Sequence, residues 1–420
     1  MPADALVRQV REGLSPRMPD RLGLAVSGGG DSLAMLHLFH EICRDSETRL
    51  HVVTVDHGLR DGSRGEAEAV ARQSAALGLP HEILTWSGWD QRGNMQHEAR
   101  NARLRLISDW AHRLDIDTVA LAHTADDQAE TMLMRLARRA GVDGLAGMAE
   151  KRIQNGVCWM RPLLGIRRSH LRDYLTARGV SWTDDPSNEN LAFDRVKARK
   201  ALGVLAELGI DADTLSEVAR NMAIARDALN WTSFGVLRDL GKPFDGAAVM
   251  CARRLRAQPI EIQRRLLIHG LRWIRGSTYP PRRDALCELM KALRGASAAT
   301  VDGCHALQHG GHVWIFREYQ AVRDTVAPLG TLWDGRWRVG VTEPTALPSG
   351  ALEIRALGPE GLLQCPDWRA TAQPRAALLG TPAVWQGDTV IAAPVAGHGQ
   401  NWYAEIDGGE DSFFTSILSH

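Results

Sequence analysis

The chain has 420 residues, 44% hydrophobic and 24% charged, with 50 basic residues balanced by 50 acidic ones at pH 7. That length suggests two or three domains, and the composition is that of a soluble globular protein. No stretch has the apolar length of a membrane span, and MPADALVRQVREGLSPRMP at the N-terminus lacks the apolar core of a secretory signal.

Six cysteines (Cys43, Cys158, Cys251, Cys287, Cys304, Cys365) are scattered with no C-x-x-C pair. Neither a zinc ribbon nor a simple cluster site is therefore visible. Reduced thiols in the cytosol are the expectation.

In chain order, Leu22–Val26, Leu50–Val55 and Thr118–Ala122 are apolar, β-branched runs that read as buried parallel strands. His81–Trp86 could be a further strand. Between them lie helical patterns at Leu33–Cys43, Glu66–Leu77 and Gln96–Leu114, and another follows at Asp126–Arg139. Such alternation predicts a doubly wound, mainly parallel α/β sheet. After Ala201 the periodicity turns helical, at Asp213–Leu240 and Arg253–Leu271, with Asp213 or Thr214 able to cap the first of these. From Thr300 short strands alternate with Pro and Gly: His312–Glu318, Trp333–Val341, Leu352–Arg355 and Val384–Ala392. The expected organisation is an α/β domain over 1–200, a helical domain over 201–300 and a small β-rich domain over 301–420.

Net neutrality hides an uneven distribution. Arg253 to Arg294 holds eleven Lys/Arg against three acids, whereas Ala321 to the end holds six Arg against eleven acids. The first surplus can attract a polyanion.

Ser27-Gly28-Gly29-Gly30-Asp31-Ser32 stands where the first strand gives way to a helix. A helix start exposes unpartnered N–H groups and the positive end of the dipole, which together bind anions. Glycines let a phosphate approach the backbone and allow positive φ. Ser27 and Ser32 add hydroxyl donors. Asp31 suits a bridging Mg²⁺ and favours a nucleotide polyphosphate over a simple anion. A tight turn with no ligand is the plain alternative. Neither G-x-x-x-x-G-K-[ST] nor G-x-G-x-x-G is matched.

S-G-G-x-D-S resembles the pyrophosphate loop (PP-loop) of ATP pyrophosphatases. The remaining motifs narrow the resemblance: Val55-Asp56-His57-Gly58-Leu59-Arg60, Asn94-x-x-x-Glu98-x-Arg100-x-x-Arg103, Leu121-Ala122-His123-Thr124-Ala125-Asp126-Asp127-Gln128-Ala129-Glu130-Thr131, Gly144-Leu145-Ala146-Gly147-Met148, Arg161-Pro162-Leu163-Leu164 and Trp182-Thr183-Asp184-Asp185-Pro186-Ser187-Asn188. Together they resemble the tRNA(Ile)-lysidine synthetase family over about the first two hundred residues. Two departures stand out. Thr124 replaces the family's second His, and Arg195-Val196-Lys197-Ala198-Arg199 replaces its Arg-Asn-x-(Ile/Leu)-Arg run.

The resemblance implies an ATP-dependent, Mg²⁺-assisted ligation of L-lysine to the wobble cytidine of isoleucine tRNA with a CAU anticodon, through an adenylated cytidine, releasing AMP and diphosphate. It also implies a cytoplasmic enzyme, monomeric or homodimeric. A PP-loop tRNA thiolase is the runner-up, disfavoured because no cysteine pair lies near the loop. A nucleotide-binding module without turnover is a third reading.

Asp31, Asp127 and Glu130 are the candidate catalytic residues, with Asp31 and Asp127 as candidate metal ligands. Ser27, Gly28, Gly29, Gly30, Asp31, Ser32, His57, Arg100 and His123 are candidates for ATP. Asp126, Asp127 and Glu130 are candidates for lysine, since Asp126 and Glu130 are i, i+4 at the start of a helix. Acids favoured by the helix dipole are the plain reading of that cluster. Arg100, Arg103, Arg195 and Arg199 suit a bidentate clamp on the triphosphate or the tRNA backbone, or a solvated helix face. Arg195, Arg199, Arg264, Arg265, Arg282 and Arg283 are the candidate tRNA contacts, with Trp273 and Tyr279 in the same basic segment.

Overall fold

The computed structural model describes residues 1–14, 18–56, 58, 62–86, 95–183, 194–277, 280–342, 350–409 and 411–417, the side chains of 95–97 excepted. His57, Asn94, Tyr279 and the Asp184–Asn188 motif lie outside the described residues. The chain forms two compact units that divide between Arg226 and Asp227.

The first unit runs α1 (Ala3–Glu12), β1 (Arg21–Ala25), α2 (Gly30–Cys43), β2 (Arg49–Asp56), α3 (Ser63–Ala76), β3 (His81–Thr85), α4 (Met95–Arg113), β4 (Thr118–Leu121), α5 (Ala125–Ala137), α6 (Val142–Leu145), β5 (Lys151–Gln154), β6 (Val157–Met160), α7 (Arg168–Ala177), α8 (Asp194–Ala206) and the start of α9 (Ala212–Leu240). Its sheet has the order β3-β2-β1-β4-β6-β5, parallel except for β5. The expected α/β sheet is present. After β3 the chain returns to the other side of β1, so strand order reverses between β1 and β4. That is the switch point at which open α/β sheets hold ligands, outside the strands' C-termini.

β1 is central because Leu22 and Leu24 lose all exposure, each worth about 1.5–3 kcal/mol of burial. Gly23 between them is required by close packing. A Cβ there would stand 3.0 Å from both the Trp110 ring and Val119. On the other face α2 buries Leu33, Leu36, Leu38 and Phe39, and α7 adds Leu171, Tyr174 and Leu175.

The second unit includes the rest of α9, β7 (Gly241–Phe244), β8 (Ala247–Cys251), α10 (Ala252–Arg256), α11 (Ile260–Arg275), α12 (Arg283–Arg294), β9 (Ala299–Val301), β10 (Cys304–His309) and β11 (His312–Arg317). Its five-stranded sheet has the order β7-β8-β11-β10-β9. The expected division at 300 therefore falls inside a strand, and the segment expected to be helical supplies two strands to a sheet shared with later residues. The single helix expected over Arg253–Leu271 is broken before Ile260 at Pro259, which cannot donate a helical hydrogen bond. Leu266, Ile274, Leu289 and Ile315 centre this core.

A second core, with Trp333, Ile354, Leu378 and Val384, organises β12 (Ala327–Pro328), β13 (Trp337–Val341), β14 (Glu353–Ala356), β15 (Pro382–Gln386), β16 (Thr389–Ala392) and β17 (Trp402–Ile406). The run expected as one strand from Val384 to Ala392 is a hairpin, and Trp333 makes only an isolated bridge to Trp337. Asp211, not Asp213 or Thr214, accepts from the helix start of α9, taking the Thr214 N–H at 2.9 Å. No helix among the described residues is long and apolar enough to cross a membrane.

Candidate active site

The Ser27–Ser32 loop joins β1 to α2. Gly28 has φ +89°, a conformation that a side chain would strain, and a Cβ on Gly30 would come within 3.2 Å of the Trp182 ring. Near Gly29, among the described residues, only the Ser27 hydroxyl, at 3.9 Å, approaches a Cβ position. The Ser32 hydroxyl accepts from the Ser27 N–H (3.1 Å) and donates to the Gly29 carbonyl (2.9 Å), while Ser27 Oγ lies 3.2 Å away. Ser32 thus braces the loop rather than offering its proton outward. At the tip of β2, Asp56 does a similar job, accepting from the Gly58 N–H (3.1 Å) and the Ser63 hydroxyl (2.7 Å).

α5 begins with a capping box. Thr124 donates its N–H and hydroxyl to Asp127 Oδ2, both at 2.9 Å, and its Oγ1 accepts the Asp127 N–H at 3.3 Å. The other Asp127 oxygen accepts from Arg168 Nη2 at 3.1 Å. The same guanidinium donates through Nε to Asp31 at 2.8 Å and lies 3.7 Å from Glu130. Arg168, which sequence reasoning missed, therefore joins all three candidate catalytic carboxylates. It is aimed there by α7, which Glu41 ties to α2 by accepting from Tyr174 (3.0 Å) and Arg178 (2.6 Å).

Asp126 points elsewhere. Its Oδ2 accepts the Arg168 backbone N–H at 2.7 Å and so caps the start of α7. Glu130 is 1% exposed; Arg199 donates to its Oε1 at 2.9 Å, and its Oε2 has no hydrogen-bond partner among the described residues.

Burial pushes the Asp31 carboxyl above its ordinary range despite Arg168, and burial likewise raises Glu130 against the pull of Arg199. Asp127 is also buried, but Arg168 and the Thr124 donors outweigh that effect and hold it below the usual range. Desolvation acts against the Arg168 charge, yet Asp31 and Asp127 raise its pKa overall.

A second group of charges is basic. Burial brings the Arg103 guanidinium down to about 10, and Arg100 and Arg195 push the same way. Arg103 has no acid partner among the described residues. Burial also pushes the His123 imidazole down to about 3, with Asp127 opposing and Arg161, Arg103 and Arg100 assisting. Its Nδ1 is buried without a partner among the described residues. An uncompensated guanidinium next to like charges is a place for an anion.

The family described as PP-loop domain matches residues 2–205. A tRNA(Ile)-lysidine synthase of Ruegeria pomeroyi is 52% identical over 100% of this chain and 99% of its own. Enzymes of the same name from Wolbachia pipientis (32% identity, 76% of each chain) and Hyphomonas neptunium (37% identity, 71% and 83%) are also similar. The chain belongs to the tRNA(Ile)-lysidine synthase family. It is a ligase of the ATP-using PP-loop class.

Several of the sequence motifs are structural. Gly144–Met148 is a tether. Gln128 bonds the backbone of Met148 in both directions (3.0 and 2.7 Å), and Arg135 donates to the carbonyls of Gly144 and Gly147, each at 2.7 Å. Thr124 is the helix cap described above. Arg161 donates to the Ala149 carbonyl at 2.7 Å.

The six candidate tRNA arginines fare differently. Arg195 is exposed, whereas Arg199 is bound to Glu130. Arg282 and Arg283 are exposed at the start of α12. Arg264 forms a two-point pair with Glu261 (2.7 and 2.6 Å). Arg265, 7% exposed, bonds Asn230 at 2.6 Å and pairs with Glu261 at 3.0 Å. It braces its own unit and cannot reach a phosphate without leaving the core. The six thiols are unpaired, with Cys43, Cys304 and Cys365 buried.

Proposed function

We propose that this protein ligates L-lysine to the wobble cytidine of isoleucine tRNA bearing a CAU anticodon, with adenylation of the cytidine as the first step. The cytosine carbonyl oxygen attacks the α-phosphorus of ATP, and diphosphate leaves with the electron pair of the broken P–O bond. The lysine amine then bonds to the ring carbon, the carbon–oxygen bond to the adenylate breaks, and AMP departs. The surplus amine proton passes to an acidic group, a role that suits the buried Glu130.

The observation that carries this reading is the convergence of Asp31, Asp127 and Glu130 on a single cation beside the PP-loop. Three carboxylates gathered around one guanidinium make a site for positive charge, which the substrate amine and a metal both carry. Glu130 Oε2, buried and without a donor among the described residues, suits an ammonium of lysine. Ser27–Gly30 and the N-terminus of α2 suit the departing diphosphate. Arg100, Arg103 and the neutral His123 suit the α-phosphate or the cytidine, and Arg195 a phosphate of the tRNA.

Mg²⁺ fits the donor set. Asp31 and Asp127 offer hard oxygens that already share one cation, and Mg²⁺ is commonly held by one or two carboxylates plus substrate phosphates. No group of three or more metal-type side chains occurs among the described residues. Bound there, the ion would neutralise charge on the leaving diphosphate. Asp126, committed to the start of α7, serves position rather than lysine.

The test combines purified protein, ATP, labelled lysine and an unmodified transcript of isoleucine tRNA with a CAU anticodon. Lysine incorporation with release of AMP and diphosphate, lost in Asp31→Ala, is the expected result. Release of ADP, or incorporation without tRNA, would refute the proposal.

A further inference from the structure

Within the second unit, α9 carries a feature that packing does not explain. Trp231 is 67% exposed, and its ring sits 6.0 Å from that of Phe234 at a tilt of 36°. With Gly235, Arg238 and Asp239 they line an open cavity of about 420 Å³, within the ~300–1,000 Å³ typical of small-ligand sites. Gly235 is the informative residue. It stands inside a 29-residue helix, where glycine costs ~1 kcal/mol relative to alanine. No atom of the described residues lies within 4 Å of the position its Cβ would take, and its φ is not positive. Neither crowding nor backbone geometry therefore calls for glycine there. Its effect is to leave the floor beside the two rings uncovered.

The rim is basic. The Arg238 guanidinium lies 5.8 Å from the Phe234 ring centroid and has no acid partner among the described residues. The one acid of the cavity, Asp239, is neutralised by Arg254, which also donates to its carbonyl at 3.0 Å. Exposed Arg253 stands on the same short helix α10. Flat aromatic surface with uncompensated guanidinium is the chemistry that stacks an unpaired base and holds its phosphate.

We infer that Trp231, Phe234 and Gly235 form a stacking platform for an unpaired RNA base, with Arg238 on the adjoining phosphate. The inference rests on RNA being the substrate and adds a recognition element outside the first unit.

Direct binding of a labelled isoleucine tRNA transcript, without ATP or lysine, tests it. Trp231→Ala should weaken binding by ~5–100-fold, the span of base–aromatic stacking, with an unaltered salt slope. Trp231→Phe should retain most of the affinity. Arg238→Gln should flatten the salt slope by about one. Gly235→Leu should weaken binding while the thermal midpoint holds or rises, a combination that a purely structural glycine would not give. Wild-type affinity in both Trp231→Ala and Gly235→Leu would overturn the inference. So would a drop from dimer to monomer in Trp231→Ala with tRNA affinity intact, which would make the cavity a contact between two copies. Lysine incorporation by the unaltered protein is read separately. Its absence, with the stacking effects present, would refute the proposed reaction and leave the platform standing.

Discussion

Glu130→Gln isolates the lysine step. The carboxylate is 1% exposed, shares one oxygen between Arg199 (2.9 Å) and the more distant Arg168 (3.7 Å), and leaves the other without a donor among the described residues. Glutamine has the same shape and can still accept from Arg199 through its carbonyl, so the fold should persist. What disappears is the charge proposed to face a substrate ammonium. A hydrogen bond to a charged group is worth about 1.5–3 kcal/mol, which at 1.4 kcal/mol per tenfold predicts a rise of ~10–150-fold in the lysine KM. Adenylation, measured as tRNA-dependent diphosphate release without lysine, should stay near wild type. AMP release against lysine concentration then supplies the KM. An unchanged lysine KM would refute the assignment, and so would an equal loss in both steps, because Glu130 would then act on the nucleotide or the fold.

Arg168→Met should shift the acid limb of the pH–rate profile to higher pH. Asp127 owes its depressed pKa to this guanidinium and Thr124, so without Arg168 the carboxylate forms only at higher pH; an unmoved limb would count against the coupling. Thr124→Ala should cost ~0.5–2 kcal/mol by removing an N-cap, measured by denaturant unfolding of the first unit's transition, whereas Thr124→Ser should cost less. His269 is 6% exposed, bonds the Phe413 carbonyl at 2.6 Å, and burial pushes it down to about 4. Its neutral form is favoured only in the folded state. Its stabilisation is therefore complete above pH ~6.5 and lost as pH falls toward 4, on the order of 3 kcal/mol. Comparison with His269→Gln across that window should show the wild-type advantage shrinking on acidification.

The parts of the fold that sequence reasoning found and missed differ in the physics that marks them. Strands β1, β2 and β4 are buried on both faces and announce themselves as apolar runs. Strands β5, β6, β7 and β8 are only four or five residues each, too short for a period to show. Their mark lies in the turns. Asn155-Gly156 and Asp245-Gly246 both take positive φ, at 52° and 72° and at 45° and 77°, as does Asp302-Gly303 at 52° and 71°. Two-residue turns of this kind match the twist of paired strands, and Asn-Gly or Asp-Gly between short runs is a strong hairpin signal. Attention to those dipeptides would have placed the strands and moved the expected division away from residue 300.

The site divides along a similar line. Asp31, Asp127 and Glu130 were legible because strand-end and helix-start positions put them at the switch point, whatever the rest of the chain does. Arg168 was not, because its partners lie 137 and 41 residues away along the chain and its own neighbourhood, Arg167-Arg168-Ser169, reads as a solvated helix start. The same blindness made Arg265 look like a phosphate contact. Spacing gives a helix face but not which face is covered, and here the covered one holds an arginine bonded to Asn230 and paired with Glu261. Charge alone is therefore a weak guide to an RNA surface in this chain. An arginine whose partners are internal is held by them, since separating a buried ion pair costs about 3–5 kcal/mol. The arginines free to meet phosphate are those that lack such partners among the described residues, which favours Arg238 and Arg282 over the buried Arg265. Charge neutralisation at Arg265 should accordingly lower the unfolding midpoint of the second unit, whereas at Arg282 it should leave stability alone and reduce only the salt-dependent part of tRNA binding. Equal effects of the two substitutions on tRNA affinity, at unchanged stability, would mean that the internal pairs do not decide which arginines bind.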